Sequence, residues 1–215
     1  PGLNPKGVPS ELKGSAIPFN YNNIKELKYI IQNNDLAAVK MEVQRTNVPK
    51  DGYLQEIRDI CTEKNIILIF DECTSGFRET FGGLHKKYEV FPDLAIFGKA
   101  LGNGYAITSV IGKDNVMEAA QSTFISSTFW TERIGPVAAL QTLKIMEETN
   151  SWNYISELGN YLKSRWKEIA QRNKLKIKLT GISSLPGFTF ESSNNLAYKT
   201  LISQEMLKKG YLASN

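Results

Sequence analysis

The chain has 215 residues, 41% hydrophobic and 22% charged, values of an ordinary globular protein that exclude a disordered or fibrous one. Lys and Arg number 26 against 22 Asp and Glu, a net charge of +4; the excess is scattered, and basic clusters such as Lys86-Lys87 are too short to line a nucleic-acid groove. The longest apolar run, residues 66–70, falls far short of the roughly 20 that span a bilayer, and Cys61, Cys73 and the single His85 supply neither a disulfide framework, nor a zinc site, nor a Ser-His-Asp triad.

The chain opens without an initiator Met, on Pro1-Gly2-Leu3-Asn4-Pro5, and its end, Gly210-Tyr211-Leu212-Ala213-Ser214-Asn215, reads as a strand broken off partway. An excerpt of a longer protein is expected. No basic segment leading into an apolar one opens it, which argues against a secretory signal. Low cysteine use makes a reducing cytoplasm the default compartment.

Residues 1–20 are polar and rich in Pro and Gly, an entry loop. Asn22-Asn23 can cap a helix that carries Ile24, Leu27, Ile30 and Ile31 at helical spacing. A short apolar strand follows over 36–43. After Pro49-Lys50-Asp51-Gly52 comes a second helix with Leu54, Ile57, Ile60 and Cys61 on one face. Residues 66–70 are apolar without alternation, as in a strand buried on both faces. Further strands are predicted over 94–97 and 106–111, a short helix over 113–120 and a long one over 131–148. This alternation predicts parallel βαβ units in a doubly wound α/β sheet. Beyond residue 150 a helix over 152–172 presents Ile155, Leu158, Leu162, Trp166 and Ile169 as its apolar stripe. Strands over 175–179 and 187–191 and a last helix over 196–209 complete the chain. The expected organisation is a large α/β domain over 1–150 and a smaller α+β domain over 151–215.

In parallel α/β sheets ligands collect outside the carboxyl ends of the strands. The first strand is followed by Glu42 and the second by Asp71-Glu72. The third is followed by Gly98-Lys99-Ala100, flanked by Gly102-Asn103-Gly104, and Ser126-Ser127-Thr128-Phe129-Trp130-Thr131 precedes the long helix. One rim thus holds a carboxylate, a lysine and hydroxyls near a helix start. A lysine in a confined, apolar setting can form a Schiff base with an aldehyde. A carboxylate opposite a pyridine nitrogen keeps it protonated, and amides and hydroxyls near a helix start bind phosphate. These are the three handles of pyridoxal 5′-phosphate. Plainer readings stand beside them. An apolar strand ending in Asp-Glu also resembles a Walker B strand of a nucleotide-binding module, although no G-x-x-x-x-G-K-[ST] accompanies it. A lone lysine after a strand can simply be solvated, and Ser126-Ser127-Thr128 can be a capping segment.

Two segments read together are far more specific. Ile69-Phe70-Asp71-Glu72-Cys73-Thr74-Ser75-Gly76-Phe77-Arg78, followed by Pro92-Asp93-Leu94-Ala95-Ile96-Phe97-Gly98-Lys99-Ala100-Leu101-Gly102-Asn103-Gly104, resembles the signature of class III aminotransferases. Within that class it looks most like the glutamate-1-semialdehyde 2,1-aminomutase branch. The matching core covers residues 36–145. The resemblance implies a fold-type I, pyridoxal-phosphate-dependent enzyme, with a mostly parallel sheet flanked by helices and part of a small α+β domain. It implies Lys99 as the Schiff-base lysine, Asp71 as the partner of the pyridine nitrogen and Thr74 beside the ring oxygen. Thr128 matches the threonine that reaches the phosphate of the neighbouring subunit's cofactor, which implies a homodimer with shared sites. The implied substrates are small-molecule amines and keto or aldehyde compounds, with neither nucleic acid nor membrane as partner.

Where the family has Glu-Pro after the first strand, this chain has Glu42-Val43, and the glycine-rich continuation is replaced by Gln44-Arg45-Thr46-Asn47-Val48-Pro49. That departure favours an aminotransferase of a keto or aldehyde substrate over an aminomutase. The family's first phosphate loop and stacking aromatic are expected upstream of Pro1, and its last segment beyond Asn215. Arg45 could meet a substrate anion or lie on the surface. Cys73 reads as a buried structural cysteine, and His85 as a surface residue rather than one at the site's mouth. Tyr105, Phe129 and Trp130 are core or pocket candidates. An aminotransferase fold kept only for interaction, without activity, is the alternative of another class; intact Asp71 and Lys99 argue against it.

Overall fold

The helix α1 (Ile24–Asn33) begins where Asn23 accepts a hydrogen bond from the Glu26 N–H at 3.3 Å. The Glu26 carboxylate also reaches back to the Asn20 N–H at 2.8 Å, so one orphan donor of the first turn is satisfied and the incoming chain is pinned to the helix start. The computed structural model that shows this describes residues 6–129 and 131–212; Trp130 and the ends of the chain, including Ala213-Ser214-Asn215, lie outside the described residues. Tyr211 and Leu212 are not in a strand.

Leu27 and Ile30 of α1 are buried, as are Tyr53, Leu54, Ile57 and Cys61 of α2 (Tyr53–Glu63). Between and after these helices run β1 (Ala38–Met41) and β2 (Ile67–Asp71), followed by β3 (Leu94–Phe97) and β4 (Ser109–Gly112). The sheet order is β1-β2-β3-β4. The first two pairings are parallel and the third is antiparallel. The sheet is therefore mostly parallel, but β4 turns back beside β3. The segment between them holds only the 3-10 turn Lys99–Leu101, with no crossover helix to return the chain for a parallel pairing. Among the described residues the strands follow chain order.

One face of the sheet carries the core. Val39, Met41, Leu68 and Phe70 pack with Leu27, Leu54, Ile57, Cys61 and Leu84. Ala95 and Phe97 pack with Leu101 and Ala139. The run expected to be buried on both faces instead alternates, with Leu68 and Phe70 fully buried and Ile67, Ile69 and Asp71 only partly so. Helices α1 and α2 cover the one face alone, and Lys40 and Asp71 lie on the other.

The predicted helix over 113–120 divides into α3 (Asp114–Met117) and a 3-10 turn, Glu118–Ser122. Helix α4 (Ile134–Thr149) starts later than expected, because Glu132 caps it by accepting from the N–H groups of Ile134 and Gly135. Helix α5 (Ser151–Arg172) follows directly, then the antiparallel hairpin β5 (Ile177–Thr180) and β6 (Gly187–Phe190), and α6 (Asn195–Lys208). The stripe predicted on α5 is not its buried face. Leu158, Leu162 and Ile169 are exposed, whereas Gly159 and Ala170 are buried and Trp166 meets Phe188 edge-on at 5.1 Å. A methyl group on Gly159 would sit 1.6 Å from the Ser183 carbonyl, so the helix rests on the 181–186 loop at its smallest residue. That loop is tied to the main sheet. Ile182 joins the first core, the Gly181 N–H donates to Thr46 O at 3.2 Å, and Glu79 accepts from the N–H groups of Ser183 and Ser184.

Candidate active site

Strands β2 and β3 are parallel neighbours with Asp71 in register with Ile96, so both end on the same edge, one strand spacing of about 4.8 Å apart. Asp71 is the last residue of β2, and Lys99 follows β3 after Gly98. Lys99 has φ +43°, a left-handed conformation that is unfavourable by about 1–2 kcal/mol for a residue with a side chain. Backbone strain of this kind collects at functional positions. From there the Lys99 Nζ donates to the Thr74 Oγ1 at 2.8 Å. The chain thus brings Lys99 and Asp71 to one rim, as the strand ends predict, together with Thr74, which the family resemblance alone had pointed to.

Asp71 is held by two neighbours. Lys40 Nζ lies 3.1 Å from Oδ2, and the Cys73 N–H donates to Oδ1 at 3.2 Å. Burial acts to raise the carboxyl pKa, but the hydrogen bonds from Lys40 and Cys73 outweigh it and hold Asp71 below its ordinary value. It is therefore ionised at neutral pH. Cys73 is half-buried rather than buried. Burial and the adjoining Asp71 carboxylate both push its thiol pKa upward, so it stays a thiol and no nucleophile.

Glu72, next along the chain, is fully buried. Its Oε1 accepts from the His85 N–H at 3.0 Å and meets the His85 Nδ1 at 2.9 Å, while Oε2 accepts from the Ser75 hydroxyl. Burial would raise the Glu72 carboxyl pKa; its bonds with His85, Ser75 and Leu84 more than offset that and leave it lowered. His85 is accordingly not at the surface: it is 8% exposed, drawn in by Glu72 and flanked by Phe70 and Phe91 at ring distances of 6.1 and 5.7 Å.

The other candidates lie apart. Thr128 is exposed between β4 and α4, and no hydrogen bond or ion pair among the described residues joins its side chain to Asp71, Thr74 or Lys99. Phe129 and Tyr105 are exposed and so are not core, and Trp130 is outside the described residues. Arg45 is a surface residue paired with Glu42 at 3.4 Å. Two residues at the site escaped sequence reasoning, Lys40 and Glu72. The period-2 alternation of β1 places Lys40 and Glu42 on one face, but only the register with β2 shows that this face carries Asp71.

The donor set suits pyridoxal 5′-phosphate: an ionised carboxylate for a protonated ring nitrogen, a primary amine for an aldehyde, and a hydroxyl beside that amine. Residues 9–213 match the family described as Aminotransferase class-III. The chain is similar to 3-aminobutyryl-CoA aminotransferase of Cloacimonas acidaminovorans (strain Evry), 34% identical over 207 residues, covering 91% of this chain and 49% of that protein. It is also similar to glutamate-1-semialdehyde 2,1-aminomutase of Methanothrix thermoacetophila, 34% identical over 187 residues, covering 84% and 43%. The chain therefore spans about half the length of the curated relatives it matches. Among solved structures, it superimposes on the pyridoxal-phosphate internal aldimine form of the FumI protein of Sphingopyxis sp. MTA144 with a TM-score of 0.85 and 25% identity, over 92% of this chain and 50% of that one. An omega-transaminase from Sphaerobacter thermophilus shares the fold, with a TM-score of 0.86 at 23% identity over 96% and 52%. The architecture is that of the fold-type I aminotransferases.

Proposed function

The chain belongs to the aminotransferase class-III family, and from that premise we propose that the complete protein is a pyridoxal-phosphate-dependent aminotransferase. It moves an amino group between a small amine donor and a keto or aldehyde substrate. The observation that carries this reading is the strained Lys99, hydrogen-bonded to Thr74 on the edge where Asp71 ends the neighbouring strand. When bound, the cofactor supplies the electron sink for the substrate's α-carbon.

The chain's own groups do the rest. Lys99 Nζ would hold the cofactor through its aldehyde, and as a free amine it would move the substrate's α-proton as general base and acid. Asp71, being ionised, would pair with the ring nitrogen and keep it protonated. Thr74 Oγ1 orients the Lys99 amine and would lie on the side of the ring oxygen. Thr128, exposed between β4 and α4, would serve the phosphate in a neighbouring copy's site, so that the working unit would be a homodimer. In this reading residues 1–150 are part of the cofactor-binding domain and 151–215 part of the small domain. The two free cysteines support a cytoplasmic setting, and among the described residues no helix is long and apolar enough to cross a membrane.

An aminomutase that moves the amino group within one molecule is the second reading, favoured by the 34% identity to the Methanothrix aminomutase. The Glu42-Val43-Gln44-Arg45 departure favours the transaminase. The test uses the full-length protein, incubated with pyridoxal phosphate, reduced with borohydride and mapped by peptide mass. A pyridoxyl adduct on Lys99 is expected. An unmodified Lys99 leaves an aminotransferase fold kept for interaction. Dependence of turnover on a second amine or keto compound then separates transaminase from aminomutase.

A further inference from the structure

We propose that Glu72 and His85, neither of which touches Lys99 or the Asp71 carboxylate, are a positioning pair that sets Asp71 and Thr74 relative to Lys99. This deepens the cofactor-site reading above and rests on it.

Residues 72–85 leave the end of β2 and return to it through the 3-10 turn Leu84–Tyr88. Glu72 ties this excursion together at its base. Its N–H donates to Ile96 O of β3 and its carbonyl accepts from the Gly76 N–H, both at 2.8 Å. Its carboxylate gathers the His85 N–H, the His85 ring and the Ser75 hydroxyl. One residue is therefore anchored at once to the neighbouring strand, the turn that follows and the returning turn. Asp71 precedes it directly, and Thr74 lies inside the turn that it closes.

A buried carboxylate is an unusual choice for such an anchor. Uncompensated, its desolvation costs several kcal/mol, and an apolar side chain of similar size would often be as stable. What the carboxylate adds is direction: two oxygens that accept from several donors at defined angles. The backbone is built around the pair. A methyl group on Gly83 would lie 2.3 Å from the His85 Nδ1 and 2.9 Å from the Glu72 Oε1, so glycine is what lets the chain pass. Within the turn, Phe77 takes a left-handed φ of 61° while its N–H donates to Gly82 O at 2.7 Å, a strained shape that needs a firm base. Without the His85 bonds Glu72 would be a buried, under-satisfied charge, and the whole 72–77 turn would relax, carrying Asp71 and Thr74 with it.

The test titrates the full-length protein and its variants with pyridoxal 5′-phosphate, following the visible band of the lysine-bound cofactor, its pH midpoint and thermal unfolding. His85→Leu is expected to weaken cofactor affinity roughly ten- to a hundredfold, the scale of one lost hydrogen bond to a charged group. It should also shift the pH midpoint of the band, at temperatures where the protein remains folded. His85→Asn, which keeps a donor at the position of Nδ1, should recover most of both. A folded His85→Leu with the wild-type affinity and midpoint overturns the proposal. Should His85→Leu not fold, Ser75→Ala decides, since it removes one donor to Glu72 and leaves the rest: a severalfold loss supports the pair, no loss overturns it. Wild-type protein that forms no adduct on Lys99 sinks the cofactor-site reading and this inference with it. An adduct on Lys99 with unaltered variants sinks the inference alone.

Discussion

The end of the parallel strands and the pair of long helices α4 and α5 use apolar residues in opposite ways. Around β2 the apolar side chains are spent inward: Leu68 and Phe70 are fully buried, and the polar groups among them, Glu72, Ser75 and His85, are hydrogen-bonded. On α4 and α5 many large apolar residues point outward, with Leu140 69% and Leu158 45% exposed, and the buried positions include the small Gly135, Ala139, Gly159 and Ala170, with Leu143, Trp152 and Trp166 adding partly buried contacts. Stability is therefore concentrated where the functional side chains are held. The helices have a surface of the kind that marks interaction sites, which supports the proposed homodimer.

The largest effect that tests this contrast is functional. Lys99→Ala is expected to lower turnover by at least about a thousandfold, the scale of a lost general acid–base group, while its exposed position leaves unfolding by urea nearly unchanged. Next come paired truncations. Leu68→Ala should cost about 2–5 kcal/mol by denaturant titration, whereas Leu158→Ala should stay within about 0.5 kcal/mol under conditions where the protein is monomeric. Equal costs at the two sites would erase the contrast.

Gly159→Ala sharpens it from the other side. The added methyl would run into the Ser183 carbonyl, so a loss of about 1–3 kcal/mol is expected, although Ala is the better helix former. A more stable variant would mean that α5 does not rest on the 181–186 loop. The smallest effect concerns pH. Asp71 has its pKa depressed in the folded chain, so it contributes stability above the ordinary carboxylate range that is lost as pH falls through the lowered value. Lys40 supplies part of that depression but is more than half exposed, so Lys40→Met should reduce stability at neutral pH by no more than about 0.5–1 kcal/mol. The difference should vanish in acid, below the folded pKa of Asp71, as read from unfolding midpoints along a pH series.

The elements legible beforehand are those governed by near neighbours in the chain. Residues 94–97 form the strand predicted for them, Asn23 caps α1, and α2 buries Leu54, Ile57 and Cys61. Asp71 and Lys99 were legible as well, because a carboxylate and a lysine that directly follow apolar strands must lie on one edge if those strands are parallel. The sequence by itself thus determined the order of elements, the shared rim and the family resemblance. The packed structure adds that β4 runs antiparallel, that Leu158, Leu162 and Ile169 of the α5 stripe face outward, that Lys40 reaches Asp71, and that His85 is drawn beneath Glu72. Each of these depends on groups distant in the chain: His85 is 13 residues from Glu72, Lys40 reaches Asp71 across a strand register, and Gly159 meets Ser183 across a helix and a loop. Local periodicity reports which residues share a face of one element, and carries no record of what that face will meet.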